Sequence, residues 1–211
     1  MRILAVSDEE AKALYDYYTP GMLKEYDLIL ACGDLKRRYL EFLVTMANRP
    51  LLYVRGNHDD GLIDDPPEGC ICIDGKLYVQ NGIRILGLGG SYRYRRGENM
   101  YTERQMCRRI RRLRFSIWRH GGFDILLTHA PARGLGDLET YAHRGFQCFR
   151  WLLDQYHPSF FVHGHIHKSY DMNVSAVRHY GGTTVINACG YHVFNWPRET
   201  DSGEQAGRTP S

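Results

Sequence analysis

Two kinds of hydrophobic pattern alternate along this chain. Ile3–Val6, Leu28–Cys32, Leu51–Val54, Ile125–Thr128 and Phe160–Val162 are short runs with almost no polar residue, the signature of strands buried on both faces. Between them, apolar residues recur every three or four positions. Ala11, Leu14, Tyr15 and Tyr18 predict a helix over Glu9–Tyr18, ended by Pro20-Gly21. Tyr39, Leu40, Leu43 and Met46 trace the inner face of a second helix. Thr102-x-x-Gln105 reads as a capping box that opens a third, running to about His120, with Met106, Ile110, Leu113 and Ile117 facing the core. Phe146, Phe149, Leu152 and Leu153 mark a fourth. Leu77–Gln80 and Ile83–Leu88 flank Asn81-Gly82, a two-residue hairpin signal. Gly181-Gly182 turns the chain into Thr183–Ala188, and the stretch from Asp64 to Gly69 is a loop. The sum predicts an α/β fold of two packed mixed sheets sandwiched by helices.

Length and composition narrow the picture. At 211 residues, 43% apolar and 24% charged, the chain suits one soluble domain. No repeat or linker divides it, so we expect a single domain over residues 1–196 and a disordered polar tail over 197–211. The apolar stretch at the N-terminus is too short for a signal or anchor, and no other run reaches membrane length. A cytoplasmic protein without a membrane partner is the expectation. Six cysteines show neither C-x-x-C nor zinc-finger spacing, and Cys70-x-Cys72 reads as a pair of half-buried thiols. A net charge of +3 does not by itself call for nucleic acid. Its uneven distribution matters more, because Arg104, Arg108, Arg109, Arg111, Arg112, Arg114 and Arg119 crowd one helix. Their default reading is a solvated outer face; a nucleic-acid surface is the less favoured one.

The chemistry gathers where the buried runs end. Asp8 follows Ile3–Val6; Gly33-Asp34 follows Leu28–Cys32; Gly56-Asn57-His58-Asp59 follows Leu51–Val54. His129 follows Ile125–Thr128, and Gly164-His165-Ile166-His167 follows Phe160–Val162. In α/β sheets the carboxyl ends of strands face the ligand, and these ends deliver Asp, Asn and His, all metal-ligand types.

The ordered blocks resemble the calcineurin-like metallophosphoesterases, whose pattern is D-x-H, G-D, G-N-H-D/E, a lone His and G-H-x-H. The resemblance covers roughly the first nine-tenths of the chain, and the set is specific although each block alone is weak. Leu127–Pro131, Gly164–His167 and Thr184–Ala188 add a likeness to the small branch containing cyclic-nucleotide phosphodiesterases. The resemblance implies a four-layer sandwich and a metal-dependent phosphoesterase that hydrolyses a small-molecule or cyclic-nucleotide phosphodiester by attack of a metal-bridging hydroxide. It implies two divalent ions. Asp8 and His167 would bind the first, Asp34 would bridge both, and Asn57, His129 and His165 would bind the second. His58 would stay unligated, contacting phosphate or protonating the leaving group, with Asp59 orienting it. Two ions about 3.5–4 Å apart stabilise both the attacking and the leaving oxygen.

One block departs from the pattern. Asp8-Glu9-Glu10 puts a carboxylate where the family has imidazole. In extended geometry Glu10 points the same way as Asp8 and is taken as a ligand. The alternative is that it swings out as a solvent-facing helix-start residue and leaves the first site weaker. The resulting carboxylate-rich site favours manganese, iron or magnesium, with zinc the alternative. Arg55 is read either as a phosphate contact or as a structural arginine. His163 reads as a packed histidine rather than a further ligand, and Asn187 as a buttress of the metal loops. A phosphomonoesterase or protein phosphatase, a nuclease and a catalytically impaired binding scaffold are the competing functions. The protein-phosphatase block is absent, because Gly33-Asp34 continues as Leu35-Lys36-Arg37.

Overall fold

The structure is a computed structural model describing residues 1–167 and 176–197. The tail from residue 198 onward therefore lies outside the described residues. In chain order the strands are β1 (Arg2–Ser7), β2 (Leu28–Ala31), β3 (Leu51–Tyr53), β4 (Ile71–Cys72), β5 (Lys76–Gln80), β6 (Ile83–Leu88), β7 (Ser91–Tyr92), β8 (Met100–Tyr101), β9 (Ile125–Thr128), β10 (Phe160–His163), β11 (Val177–Tyr180), β12 (Thr183–Asn187) and β13 (Gly190–Asn195). The helices are α1 (Arg37–Ala47), the single turn α2 (Gly61–Asp64), α3 (Glu103–Arg119) and α4 (Gln147–Tyr156).

The strands form two large mixed sheets. One has the order β13-β1-β2-β3-β4, the other β11-β12-β10-β9-β6-β5, and β7 and β8 make a separate two-stranded ribbon. In the first sheet β1 to β4 run parallel and β13 closes the edge antiparallel. In the second, β6, β9, β10 and β12 are parallel, with β5 and β11 antiparallel at the edges.

Strand parity explains the layers. Ile3 and Ala5 of β1 face inward, where they meet Ile85, Leu127 and Val162 of the other sheet. Leu4 and Val6 face outward onto Tyr39, Leu40, Leu43 and Ala47 of α1. On the far side, Leu86, Leu126 and Phe161 receive Met106, Ile110 and Ile117 of α3 and Phe149 and Leu152 of α4. Strands covered on both faces have no polar positions to spare, hence their uninterrupted apolar runs. Each large aliphatic side chain so buried is worth about 1.5–3 kcal/mol.

Local signals behaved as physics requires. The Thr102 hydroxyl accepts from Gln105 N while the Gln105 side chain takes the Thr102 N–H, the expected reciprocal cap. Asn81 and Gly82 both have positive φ, 49° and 84°, as a hairpin turn of this type needs. The helix expected over Glu9–Tyr18 is not there. Its N–H groups bond three, four and five residues back (Leu14 and Tyr15 to Ala11 O, Tyr17 to Lys12 O), giving successive turns instead. Tyrosines are middling helix formers, and ring packing decides: Tyr15 meets Tyr39 and Phe42 at 5.4 and 4.8 Å.

Candidate metal centre

All the parallel strands that carry motif residues end at one edge of the sandwich, and each sheet supplies half the donors. Asp8, Asp34 and Asn57 follow β1, β2 and β3; His129, His165 and His167 follow β9 and β10. Three of them, Asp8, Asp34 and His165, hold left-handed backbone with φ of 63°, 55° and 69°. Such angles are costly outside glycine and persist where surroundings impose them. Those surroundings are visible. Asp8 N and the Ser7 hydroxyl both donate to Gly33 O, and His165 N donates to Asp8 Oδ2 at 2.8 Å. Gly164 is required here, since a Cβ on it would collide with Ser7 Oγ and Asp8 Oδ2. A Cβ on Gly56 would likewise strike the Asp34 carboxylate.

Asp34, His129 and His165 present ligand atoms within 4.8 Å of one another. His129 is wholly buried, and its Nδ1 lies 2.8 Å from Cys32 O. A carbonyl can only accept, so Nδ1 carries a proton and Nε2 is turned to the cluster. There it meets Asn57 Oδ1 at 2.9 Å and Asp34 Oδ2 at 3.4 Å. His165 is fixed in the same manner by Ala142 O, 2.9 Å from its Nε2. Full burial alone would depress His129, yet Asp34, with Asp8 and Asp59 behind it, outweighs that and raises it to about 9. Desolvation pushes Asp34 up, but His129 and the His58 N–H prevail and hold it at about 2. His165 is pushed down to about 3, mainly by burial and then by His129.

A second grouping is looser. His167 Nε2 stands 3.8 Å from Asp8 Oδ1, and its Nδ1 is 3.2 Å from Glu9 Oε1. Glu9, His167 and Cys189 again bring ligand atoms within 4.8 Å. Asp8 Oδ1 is buried without a hydrogen-bond partner, and desolvation raises the Asp8 pKa.

Both groupings fit cations. An orphaned buried carboxylate oxygen and an imidazole nitrogen converging on two oxygens are positions where positive charge lowers the energy. Carbonyls holding the outer nitrogens of His129 and His165 are the usual support for ligating imidazoles.

Several expected residues sit elsewhere than the sequence suggested. Glu10 is turned to Lys36 Nζ, 3.3 Å from its Oε1, at ion-pair distance but without hydrogen-bond angles. The same-side argument for Asp8 and Glu10 presumed extended backbone, and the left-handed Asp8 breaks it. Glu9 takes the place beside His167. Asp59 does not orient His58 through its side chain. Its Oδ2 accepts from Asp34 N and Gly56 N at 2.7 and 2.8 Å, clamping two loops together. Burial raises its pKa to about 6. Arg55 takes the structural of its two readings, since it pairs at 3.2 Å with Asp74, a carboxylate only 1% exposed that Arg109 and Gly89 N also engage. His163 is a packed histidine on Phe161, pushed down to about 4 by burial. Asn187 does buttress the site, donating to Ile166 O at 2.8 Å.

His58 is exposed at the mouth, and its backbone N–H is anchored on Asp34 Oδ1 at 2.7 Å. Beside its ring stands Arg95, whose guanidinium nitrogen lies 3.3 Å from Nδ1. Tyr94 OH lies 3.4 Å from Asn57 Nδ2. Neither was singled out in the sequence, although Ile83–Leu88 is a sixth strand end, followed by Gly89-Gly90 and the basic-aromatic run Tyr92–Arg96. A cleft of about 240 Å³ lined by Asp34, Lys36, Arg37 and His58 opens next to the cluster. A roomier groove of about 640 Å³ lies between α3 and α4, lined by none of the strand-end donors but by a separate donor-type group, Glu103, Cys107 and Cys148.

Comparison with known proteins agrees. The family model described as calcineurin-like phosphoesterase matches residues 1–169, and the chain belongs to that family. One solved structure, 13% identical, superposes with a TM-score of 0.65 over 91% of this chain and 93% of its own. TT1561 of Thermus thermophilus, 15% identical, superposes at 0.57 over 89% and 88%. At such identities the likeness concerns the fold. Among curated proteins none matches. Family membership makes the chain a candidate phosphoric-ester hydrolase with divalent metals. Among the described residues no helix is long and apolar enough to cross a membrane.

Proposed function

We propose that this chain is a two-metal phosphodiesterase acting on a small, accessible diester such as a cyclic nucleotide. The observation that carries the reading is the convergence of Asp34, Asn57, His129 and His165 from four strand ends, with the exposed ring of His58 anchored beside them. Asp34, Asn57, His129 and His165 would hold one ion, and Asp8 and His167 the other with Asp34 between. Without Glu10 the set has two carboxylates, one amide and three imidazoles, a mixed oxygen–nitrogen shell that suits manganese, iron or zinc better than magnesium. Bound divalent ions supply Lewis acidity and acidify water at neutral pH.

The chain's own residues do the rest. Arg95 can only donate, so His58 Nδ1 accepts and a neutral ring carries its proton on Nε2. His58 then offers Nε2–H to a phosphoryl or leaving oxygen. Arg95 sets a positive charge beside His58 at the mouth and draws an anionic ester in, whereas Lys36 and Arg37 are already paired with Glu10 and with Glu41 and Asp65. His58 lies open to solvent, which leaves room for substituents on both ester oxygens. That openness supports a diester over a monoester.

The test is hydrolysis with manganese of a generic phosphodiester, its matching monoester and cyclic nucleotides. We expect higher kcat/KM for a diester, and a turnover loss of about 10²–10⁴ in His58→Ala with metal content retained. A roughly tenfold preference for the monoester, or loss of metal in His58→Ala, would overturn the assignment.

A further inference from the structure

The outer face of α3 carries features the metal centre does not use. Arg104, Arg108, Arg111, Arg112, Arg114 and Arg119 are all exposed, and among the described residues none of the six makes an ion pair. The helix contains one acidic residue, Glu103, whose carboxylate is spent on Gln147 N and Cys148 N of α4. Helical spacing places Phe115 amid this charge, with Arg111, Arg112 and Arg119 one turn away. Phe115 and Trp118 are 69% and 73% exposed, and their rings lie in contact at 5.8 Å. Large aromatic faces left open inside a ring of cations call for a ligand both anionic and flat.

We propose that this face binds single-stranded nucleic acid, with arginines on phosphates and bases on Phe115 and Trp118. Three observations select this occupant over an anionic lipid surface. Every cation on α3 is arginine, whose planar fork matches phosphate and stacks on bases, whereas a membrane needs only charge. The cations run from Arg104 to Arg119, nearly the full 17 residues of the helix, about 24 Å at helical rise, as a linear polyanion requires. Arg111 and Arg114 also line the groove of about 640 Å³ whose walls include Ile110, Trp151 and Tyr156. A splayed base can enter that groove, and a flat bilayer cannot. The inference stands apart from the hydrolytic reading, since the face contains none of the strand-end donors on which that reading rests.

Binding is measured by fluorescence anisotropy in EDTA, so that hydrolysis is silent, using labelled oligothymidylate, a duplex of equal length and vesicles of mixed neutral and anionic lipid. Oligothymidylate should bind at about 50 mM salt, with a log–log salt slope near −4 if all six arginines meet phosphates. Arg108→Ala/Arg112→Ala should flatten that slope by about 1.4. Phe115→Ala/Trp118→Ala, both at exposed positions, should weaken oligothymidylate about tenfold and leave duplex binding alone. Circular dichroism checks that each variant is folded. Absence of oligothymidylate binding at about 50 mM salt, equal loss of duplex and single strand on removing the rings, or capture by vesicles in preference to the oligonucleotide would each overturn the proposal.

Discussion

The two halves of the candidate metal centre are built from the same residue types on the same kind of strand end, yet differ in how firmly they are held. Around Asp34 the donors are buried, in mutual contact, and fixed from behind by Cys32 O and Ala142 O. Around Asp8 they are spread: His167 is 31% exposed and Glu9 59%, and His167 and Asp8 stand 3.8 Å apart. Preorganisation lowers the cost of assembling a coordination shell, so the first half should bind its ion tightly and the second weakly. Strand position sets up this contrast. His129 directly follows β9, where both neighbouring chains constrain it, while His167 lies four residues beyond β10.

The largest effects should come from removing a member of each half. His129→Ala should abolish measurable turnover and lower affinity for the tight ion by at least about a hundredfold. His167→Ala should leave that ion within about twofold and remove only the second, giving one metal per chain by elemental analysis. If His167→Ala emptied both positions, or His129→Ala retained one tight ion, the division into firm and loose halves would be wrong. Asp34→Asn should resemble the sum of both losses if Asp34 holds both ions as proposed.

A smaller, graded effect follows from the proton that His129 holds. Asp34 and the other carboxylates raise His129 to about 9, while Asp34 itself, held at about 2, stays ionised throughout. Below about 9 an incoming cation must displace that proton. Affinity for manganese should therefore rise about tenfold per pH unit from 6 to 8, with release of about one proton, and level off above 9. Titration calorimetry in buffers of different ionisation enthalpy reads both quantities. A pH-independent affinity across that range would show that Nε2 of His129 does not meet the ion.

Much of this was legible from residues alone, for reasons that can be named. Buried parallel strands must be apolar throughout and must end in turns, so the strand ends and the donor-type residues that follow them stood out, as did the α3 stripe with its cap. The Asp8–Glu10 segment failed for the complementary reason. Parity along a strand predicts direction only while backbone stays extended, and nothing local announces that Asp8 is left-handed. That conformation is imposed by Gly33 O and His165 N, one from each sheet. Asp59 misled similarly, since a carboxylate next to an exposed histidine gives no hint that two backbone N–H groups from separate loops will claim it. Arg95 went unseen because its partner His58 is 37 residues away.

The finest test of the comparison lies in that same segment. Glu9 Oε1 is 3.2 Å from His167 Nδ1, so it can take that proton's hydrogen bond and leave Nε2 aimed at Asp8, a positioning role rather than ligation. Glu10 instead stands 3.3 Å from Lys36 Nζ. Glu9→Ala should then weaken the second ion about tenfold, the lower range for such supporting contacts, whereas Glu9→Gln, which keeps an acceptor, should weaken it less. Glu10→Ala should change neither metal content nor the relative affinity for manganese and zinc, and its lost Lys36 contact should cost at most about 1 kcal/mol of stability. Elemental analysis with competitive zinc titration distinguishes the two carboxylates. Loss of the second ion in Glu10→Ala, with Glu9→Ala fully loaded, would return Glu10 to the coordination sphere and reverse the assignment made from the left-handed Asp8.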